Sequence, residues 1–253
     1  MSNKFWYFLI FISLPVLIYF SLKIAYPQKI DQKIDTVVVK INDLKETVAP
    51  VPTIILDSGL PNKHLIKTAF IPQSPEKNWD QPWQDACEEA ALLTVNYFYK
   101  NITPASLDIK NDILAMIKYE ADQNFTHDVD LSQMVLIAQN HLNYAAKIID
   151  NPSLEDLKSY IAKDIPIIVP ANGKTLYAEN KHFKSGGPYY HNLVILGYDD
   201  NTSKFTVHDV GTQFGAYFKY SYNLLLKSIH DFPTSGVKQD INQGSPRVLI
   251  LLK

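Results

Sequence analysis

The chain has 253 residues, a length that suits one domain with appendages and argues against a large multidomain enzyme. Its 24 Lys and Arg residues against 26 Asp and Glu give a net charge of -2, which excludes the basic excess expected of a nucleic-acid-binding protein. The composition is that of a globular protein, and the single cysteine, Cys87, excludes an internal disulfide and a cysteine-based zinc site.

The N-terminal segment is predicted to enter a membrane. Residues 5–22 carry no charge and lie between Lys4 and Lys23, and 18 residues span about 27 Å as a helix. Trp6 and Tyr19 lie near the ends of the run, as interfacial aromatic residues do. No small-residue cleavage signal follows, so we expect residues 1–25 to be an uncleaved signal anchor rather than a cleavable signal peptide. Such an anchor would leave the long C-terminal part outside the cytoplasm.

Residues 26–62 have the composition of a stem. The prolines at Pro50, Pro52 and Pro61 and few aromatic residues indicate a spacer, although the stretch TVVVKI could form a short strand. The globular domain is therefore predicted to cover residues 63–253.

The first predicted helix of the domain follows a polar loop and covers residues 85–100. Asp85 is the expected N-cap, with Glu88 reaching back to its amide. Cys87 then lies in the first turn, where the helix dipole would lower the thiol pKa and make the cysteine reactive; the alternative is a buried structural cysteine. Glu88 and Glu89 either complement the dipole or contact a cationic substrate.

The rest of the domain shows helices followed by strands. Helical periodicity covers residues 106–121 and 130–145, and a third helix begins after Ser153 and ends before Pro166. Apolar, β-branched runs predict strands at 165–170, 190–197, 204–209 and 247–252, the last closing the sheet. The turn-forming residues 198–203 predict that the second and third of these strands form an antiparallel hairpin, and the whole pattern predicts an α+β fold.

A thiol nucleophile needs a base, a group that orients the base and an oxyanion donor. His191 begins one strand of the hairpin and Asp209 ends the other, so both are expected at one edge of the sheet. His191 is the best placed of the seven histidines. His208 should face away by strand alternation, and the others are expected to be surface or structural residues. These other histidines are His64, His127, His141, His182 and His230. The chain order Cys, His, Asp is that of papain.

Three segments resemble a known family. FIPQSPEKNWDQPWQDACEEAALL, YYHNLVILGYDD and VHDVGTQFGAYFKYSY look like the cysteine, histidine and aspartate blocks of the C-thirty-nine-like cysteine peptidases, relatives of bacteriocin leader peptidases in the papain-like superfamily. The resemblance implies a papain-like α+β fold with Cys87 as nucleophile, His191 as general base and Asp209 as orienting carboxylate. Cys87-Glu88 departs from the usual Cys-Gly and is similar to another branch of the group.

Two glutamines compete for the oxyanion hole. Gln73 matches the family's Pro-x-x-Gln context but lies 14 residues before Cys87, whereas Gln81 has the papain spacing of six residues. Gln73 is preferred, with Gln81 as the runner-up.

The sequence therefore predicts a cysteine peptidase that acts on a peptide or protein substrate without a cofactor or metal. Trp79, Trp83, Phe183, Tyr189 and Tyr190 are candidates for an aromatic cleft. A non-catalytic module that binds peptide or cell wall on the same fold, and a cell-wall amidase or transpeptidase, are the alternatives.

Overall fold

The computed structural model describes residues 59–253. They form a seven-stranded sheet in which every strand pair is antiparallel, with helices packed against it, so the predicted α+β class is confirmed. The predicted membrane helix, and nearly all of the predicted stem with its possible strand, lie outside the described residues. Within residues 59–253, none of the helices combines the length and the apolar character needed to span a bilayer.

The elements alternate along the chain more than the sequence predicted. The helices are α1 (Cys87–Lys100), α2 (Ser106–Asp122), α3 (Leu131–Asn140), α4 (Leu154–Ile161), α5 (Gly173–Leu176) and α6 (Tyr222–Ser228), and two 3-10 helices cover Trp83–Asp85 and Lys238–Gln243. The strands are β1 (Lys63–Leu65), β2 (Ala145–Asp150), β3 (Ile167–Asn172), β4 (Tyr190–Asp199), β5 (Lys204–His208), β6 (Phe218–Ser221) and β7 (Arg247–Leu252).

The strand order is β2-β7-β3-β4-β5-β6, and β1 also pairs with β4. The prediction that β7 closes the sheet is wrong, because β7 lies between β3 and β2 and leaves β2 at the edge. Residues 145–150 were not predicted as a strand, and the helix predicted for residues 130–145 ran up to the first of them. The helix ends at Asn140, and Asn143 then adopts a positive φ of 64°, which turns the chain into β2.

Strand β4 is the centre of the domain. It pairs with β3, β5 and β1, its first nine residues are buried, and α1 packs on it. The β4/β5 hairpin predicted from the sequence is confirmed, with residues 200–203 as the connection. Together, the packing of α1 and the pairing of β5 bring the start of α1, the start of β4 and the end of β5 to one region.

The two predicted helix starts have different outcomes. Ser153 caps α4 in a capping box with Asp156, as predicted. Asp85 does not cap α1, which begins at Cys87 after Ala86, without a side-chain cap. The Asp85 carboxylate instead accepts a hydrogen bond from Gln81 and pairs with Lys238. Tertiary partners have therefore replaced the local cap.

Candidate active site

Cys87 is the first residue of α1 and contributes to the wall of a cavity of about 470 Å³. Cys87 is only 5% exposed, and the helix that carries it packs against β4. The same cavity is lined by His191 and Gln73, so three of the residues predicted from the sequence meet there.

The thiol contacts two groups that the sequence did not assign to it. Sγ donates to Glu88 Oε2 at 2.9 Å, and Asn192 Nδ2 donates to Sγ at 3.9 Å. None of the hydrogen bonds described for residues 59–253 joins Sγ to His191. Burial and the neighbouring Glu88 carboxylate raise the pKa of the Cys87 thiol well above its usual value, which is opposite to the lowering expected from the helix start.

His191 and Asp209 form a buried pair. His191 Nε2 lies 2.9 Å from Asp209 Oδ1, and both side chains are shielded from solvent. The register explains the contact. Val194 is opposite His208 in the antiparallel pair, and His191 lies three residues before Val194 while Asp209 follows His208, so both lie at the end of the hairpin where β4 begins. Phe183 packs edge-on against the imidazole, with ring centroids 5.3 Å apart. A Cβ at Gly211 would lie 2.6 Å from His191 Cε1, so this glycine makes room for the ring.

Asp209 is held by further donors that the sequence analysis missed. Asn180 Nδ2 donates to Asp209 Oδ2 at 2.9 Å, the Tyr220 hydroxyl donates to the same oxygen, and the Gly211 amide donates to Oδ1 at 3.3 Å. Burial acts to raise the pKa of Asp209, but the His191 charge and the hydrogen bonds from His191, Tyr220 and Asn180 bring it below its usual value. Tyr220 stands in a segment already singled out by sequence, whereas Asn180 follows α5 and no local pattern marks it.

The two glutamines are in different surroundings. Gln73 is buried and lines the cavity, with its Nε2 donating to the Trp83 and Gln84 carbonyls at 2.9 and 3.0 Å. Gln81 is exposed, does not line this cavity and donates to Asp85. Of the two glutamines, Gln73 therefore shares the cavity with Cys87, and both of its amide hydrogens are donated to backbone carbonyls.

Aromatic side chains form part of the cavity wall. Four of the five predicted cleft residues line it, and Trp83 is instead buried in the core. His182, which stacks on the exposed Phe214 at 4.5 Å between centroids, adds to the rim. Glu88 and Glu89 are both buried and do not line this cavity, so neither is placed to contact a cationic substrate in it. The four lining residues are Trp79, Phe183, Tyr189 and Tyr190.

The remaining histidines stay outside the site or play packing roles. His208 faces away from His191, packs against Phe70 and Tyr217, and has a pKa lowered by burial to about 4. His127 lies in a loop, while His141 and His230 follow α3 and α6, so the helix predicted for residues 130–145 ends before His141. Among residues 59–253, no group of three or more His, Cys, Asp or Glu side chains is arranged to hold a metal ion.

The chain belongs to the Peptidase_C39 like family, whose model matches residues 67–231. The matched range contains the cysteine, histidine and aspartate described above. Membership of this family supports the class of cysteine peptidases for this chain.

Solved structures of similar proteins were also found. One is described as a C39-like peptidase from Bacillus anthracis; it is 16% identical, with a TM-score of 0.47, and the match covers 76% of this chain and 98% of that one. Another is xylellain, a cysteine protease from Xylella fastidiosa; it is 14% identical, with a TM-score of 0.39, and the match covers 80% and 89% of the two chains. No curated protein matches the sequence.

Proposed function

We propose that this protein is a membrane-anchored, extracytoplasmic cysteine peptidase that hydrolyses amide bonds of a peptide or protein substrate through Cys87, His191 and Asp209. The observation that carries the proposal is the buried 2.9 Å contact of His191 with Asp209 beside the cavity that Cys87 also lines. The family supports the reaction class. The anchor is supported by the uncharged run of residues 5–22 alone.

In this proposal the two ring nitrogens of His191 have different roles, which its contact with Asp209 supports. Because Nε2 faces Asp209, Nε2 carries the hydrogen and Nδ1 is the basic nitrogen. Sγ gives its proton to Nδ1 and attacks the substrate carbonyl carbon, whose oxygen takes the negative charge. Nδ1 then returns the proton to the leaving amine as the C–N bond breaks, which leaves a thioester on Cys87. Water, deprotonated by Nδ1, attacks the thioester and releases the acid and the thiol.

In this proposal the oxyanion accepts hydrogen bonds from groups near the start of α1. The Cys87 amide belongs to the first turn of a helix, where amides have no partner within the helix. Gln73 supplies the side-chain donor in this proposal, and it must release the Trp83 or Gln84 carbonyl to do so. Donors aimed at the developing charge stabilise the tetrahedral state by several kcal/mol in enzymes generally.

The test is peptide hydrolysis by the full chain. We expect a library of peptides, analysed by mass spectrometry, to contain products that disappear with Cys87→Ala and with His191→Ala. A thioester adduct on Cys87 that hydroxylamine removes would identify the intermediate. Circular dichroism of both variants controls for loss of fold. Products that persist in Cys87→Ala would contradict the proposal.

One observation favours a second candidate, a non-catalytic peptide-binding or wall-binding module. The thiol faces Glu88, and its pKa is raised, as suits a cysteine that does no chemistry. In that case Cys87→Ser keeps full ligand binding and the wild-type chain cleaves nothing. Release of soluble fragments from purified cell wall would instead indicate the amidase or transpeptidase that shares the same residues.

A further inference from the structure

The carboxyl group of Glu88 is directed at the candidate nucleophile. The side chain is 1% exposed, and its Oε2 lies 2.9 Å from Cys87 Sγ. A buried carboxyl beside a thiol is costly unless it is hydrogen-bonded, so its contacts indicate what it does.

The Glu88 carboxyl is fixed from its other side. Oε1 accepts a hydrogen bond from the Val129 amide at 3.2 Å, and the Val129 carbonyl accepts one from the Tyr190 hydroxyl at 2.9 Å. Tyr190 directly precedes His191 on β4. The group that holds the sulfur is thus tied to the strand that carries the candidate base.

The sulfur has two competing acceptors for its proton. In the observed orientation the proton is directed at Glu88, and Asn192 donates to the sulfur from its other side. Reaction requires that the proton goes to His191 instead, since a thiol that keeps its hydrogen is a poor nucleophile. An adjacent carboxylate also opposes the negative charge of a thiolate.

We propose that Glu88 is a positioning residue that holds the Cys87 thiol in a protonated resting orientation, and that the sulfur must leave Glu88 for His191 before it attacks substrate. This inference rests on the proposed function, because it assigns a resting state to the same nucleophile. Substrate entering the cavity would then meet a thiol that becomes reactive only after it has turned.

The charges around Glu88 act in the same direction. Burial, first, and the charge of Asp128, second, raise the pKa of Glu88 well above its usual value. Once ionised, Glu88 raises the pKa of the thiol, so the two groups resist carrying a negative charge together. The titratable groups that face Glu88 lie on α1, α2, the loop before α3, and β4. They are Cys87, Glu89, Glu120, Asp128 and Tyr190. Lys238 forms an ion pair with Asp128.

The test is the pH dependence of alkylation of Cys87 by iodoacetamide in the full chain. Glu88→Gln keeps the shape but cannot ionise, so the thiol loses its proton without a competing negative charge beside it, and the thiolate should form at lower pH. We expect alkylation at neutral pH to be at least about tenfold faster than in the wild type, which corresponds to a decrease of about one in the thiol pKa. Glu89→Gln is the matched control, because it makes the same change one residue along α1 without contact to the sulfur, and it should shift the profile much less.

A double-variant comparison separates this effect from simple exposure of the thiol. In the Glu88→Gln background, His191→Ala should remove the acceleration, whereas in the wild type the same change should alter alkylation little. Profiles of wild type and Glu88→Gln that superimpose, or fast alkylation of Glu88→Gln that survives His191→Ala, would overturn the proposal. If either result is obtained while peptide hydrolysis still depends on Cys87, the role of Glu88 is refuted and the proposed function is not.

Discussion

At the residue scale, the Asp209 carboxylate accepts four hydrogen bonds although it is fully buried. Each donor stabilises the ionised form, and together with the His191 charge they offset the unfavourable effect of burial. The carboxylate is thus kept charged and fixed, which a group that orients an imidazole requires.

Removal of the Tyr220 hydroxyl should therefore destabilise the domain. We expect Tyr220→Phe to lower the free energy of unfolding by about 1.5 to 3 kcal/mol, the range for a hydrogen bond to a charged group. A depressed carboxyl pKa stabilises above the unfolded-state pKa and this stabilisation is lost in acid, so the difference from wild type should be largest above about pH 4 and shrink below it. Urea unfolding at several pH values measures it.

Tyr217→Phe provides the comparison for that experiment. Its hydroxyl donates to the Thr68 carbonyl at 2.9 Å near the surface, so the loss should stay below about 1 kcal/mol and be independent of pH in this range. An equal decrease in the free energy of unfolding of both variants would show that the hydrogen bond of Tyr220 to Asp209 stabilises the domain no more than an ordinary surface hydrogen bond.

Residue identities were predicted from sequence where a local pattern exists. Cys87 follows a polar loop at a helix start, and His191 and Asp209 flank a recognisable hairpin, so spacing brought them together. The contacts of Glu88 and Asn180 were not predictable, because each depends on a segment distant in sequence. The direction of the thiol pKa was missed for the same reason, since burial and the Glu88 orientation outweigh the helix start.

At the element scale, α1 and α2 bury two acids against each other. Glu89 and Glu120 are both buried, and burial followed by the neighbouring carboxyl raises the pKa of Glu89, while burial raises that of Glu120 to about 7. Two carboxyl groups that are buried next to each other are most stable when they share a proton.

The raised pKa of Glu120 makes stability depend on pH. Between its ordinary value of 4.5 and about 7, the folded chain binds a proton that the unfolded chain has lost, so the free energy of unfolding should fall as pH rises. The slope is about 1.4 kcal/mol per pH unit for one proton. Glu120→Gln should flatten this decline in urea unfolding. Asp122→Asn, an exposed acid on the same helix paired with Lys118, should leave the slope unchanged, and an unchanged slope in Glu120→Gln would contradict the assignment.

The presence of a helix or strand was easier to predict than its first and last residues or the strands that pair with it. The apolar periodicity of α1 and α2 and the helix start after Ser153 are local, and all three were predicted. Strand β2 was not predicted, and its partner, β7, lies about a hundred residues further along the chain. Pairing across that distance leaves no local signal.

At the scale of the whole molecule, the N-terminal segment predicts a membrane protein. The full chain should remain in the membrane fraction after high-salt and alkaline washing, since 18 uncharged residues suffice to cross the hydrocarbon core. Ile12→Arg together with Leu14→Arg should release it, because each charge near the bilayer centre costs about 2.5 to 3.5 kcal/mol.

The apolar pair Ile12→Val and Leu14→Ile is the matched control and should stay bound. N-terminal sequencing of the membrane-bound chain distinguishes an anchor from a cleaved signal peptide. Loss of the domain from intact cells treated with external protease would place it outside the cytoplasm, and its survival under that treatment would argue against this orientation.

The sequence by itself determined the apolar N-terminal run, the single thiol at a helix start and the hairpin that joins His191 to Asp209, because each is a matter of composition or short-range periodicity. Only the tertiary structure decided which acid contacts the sulfur, which glutamine lines the cavity and which strand lies inside the sheet. These depend on side chains and strands that meet across long stretches of chain, where burial and competing hydrogen-bond partners outweigh any local preference.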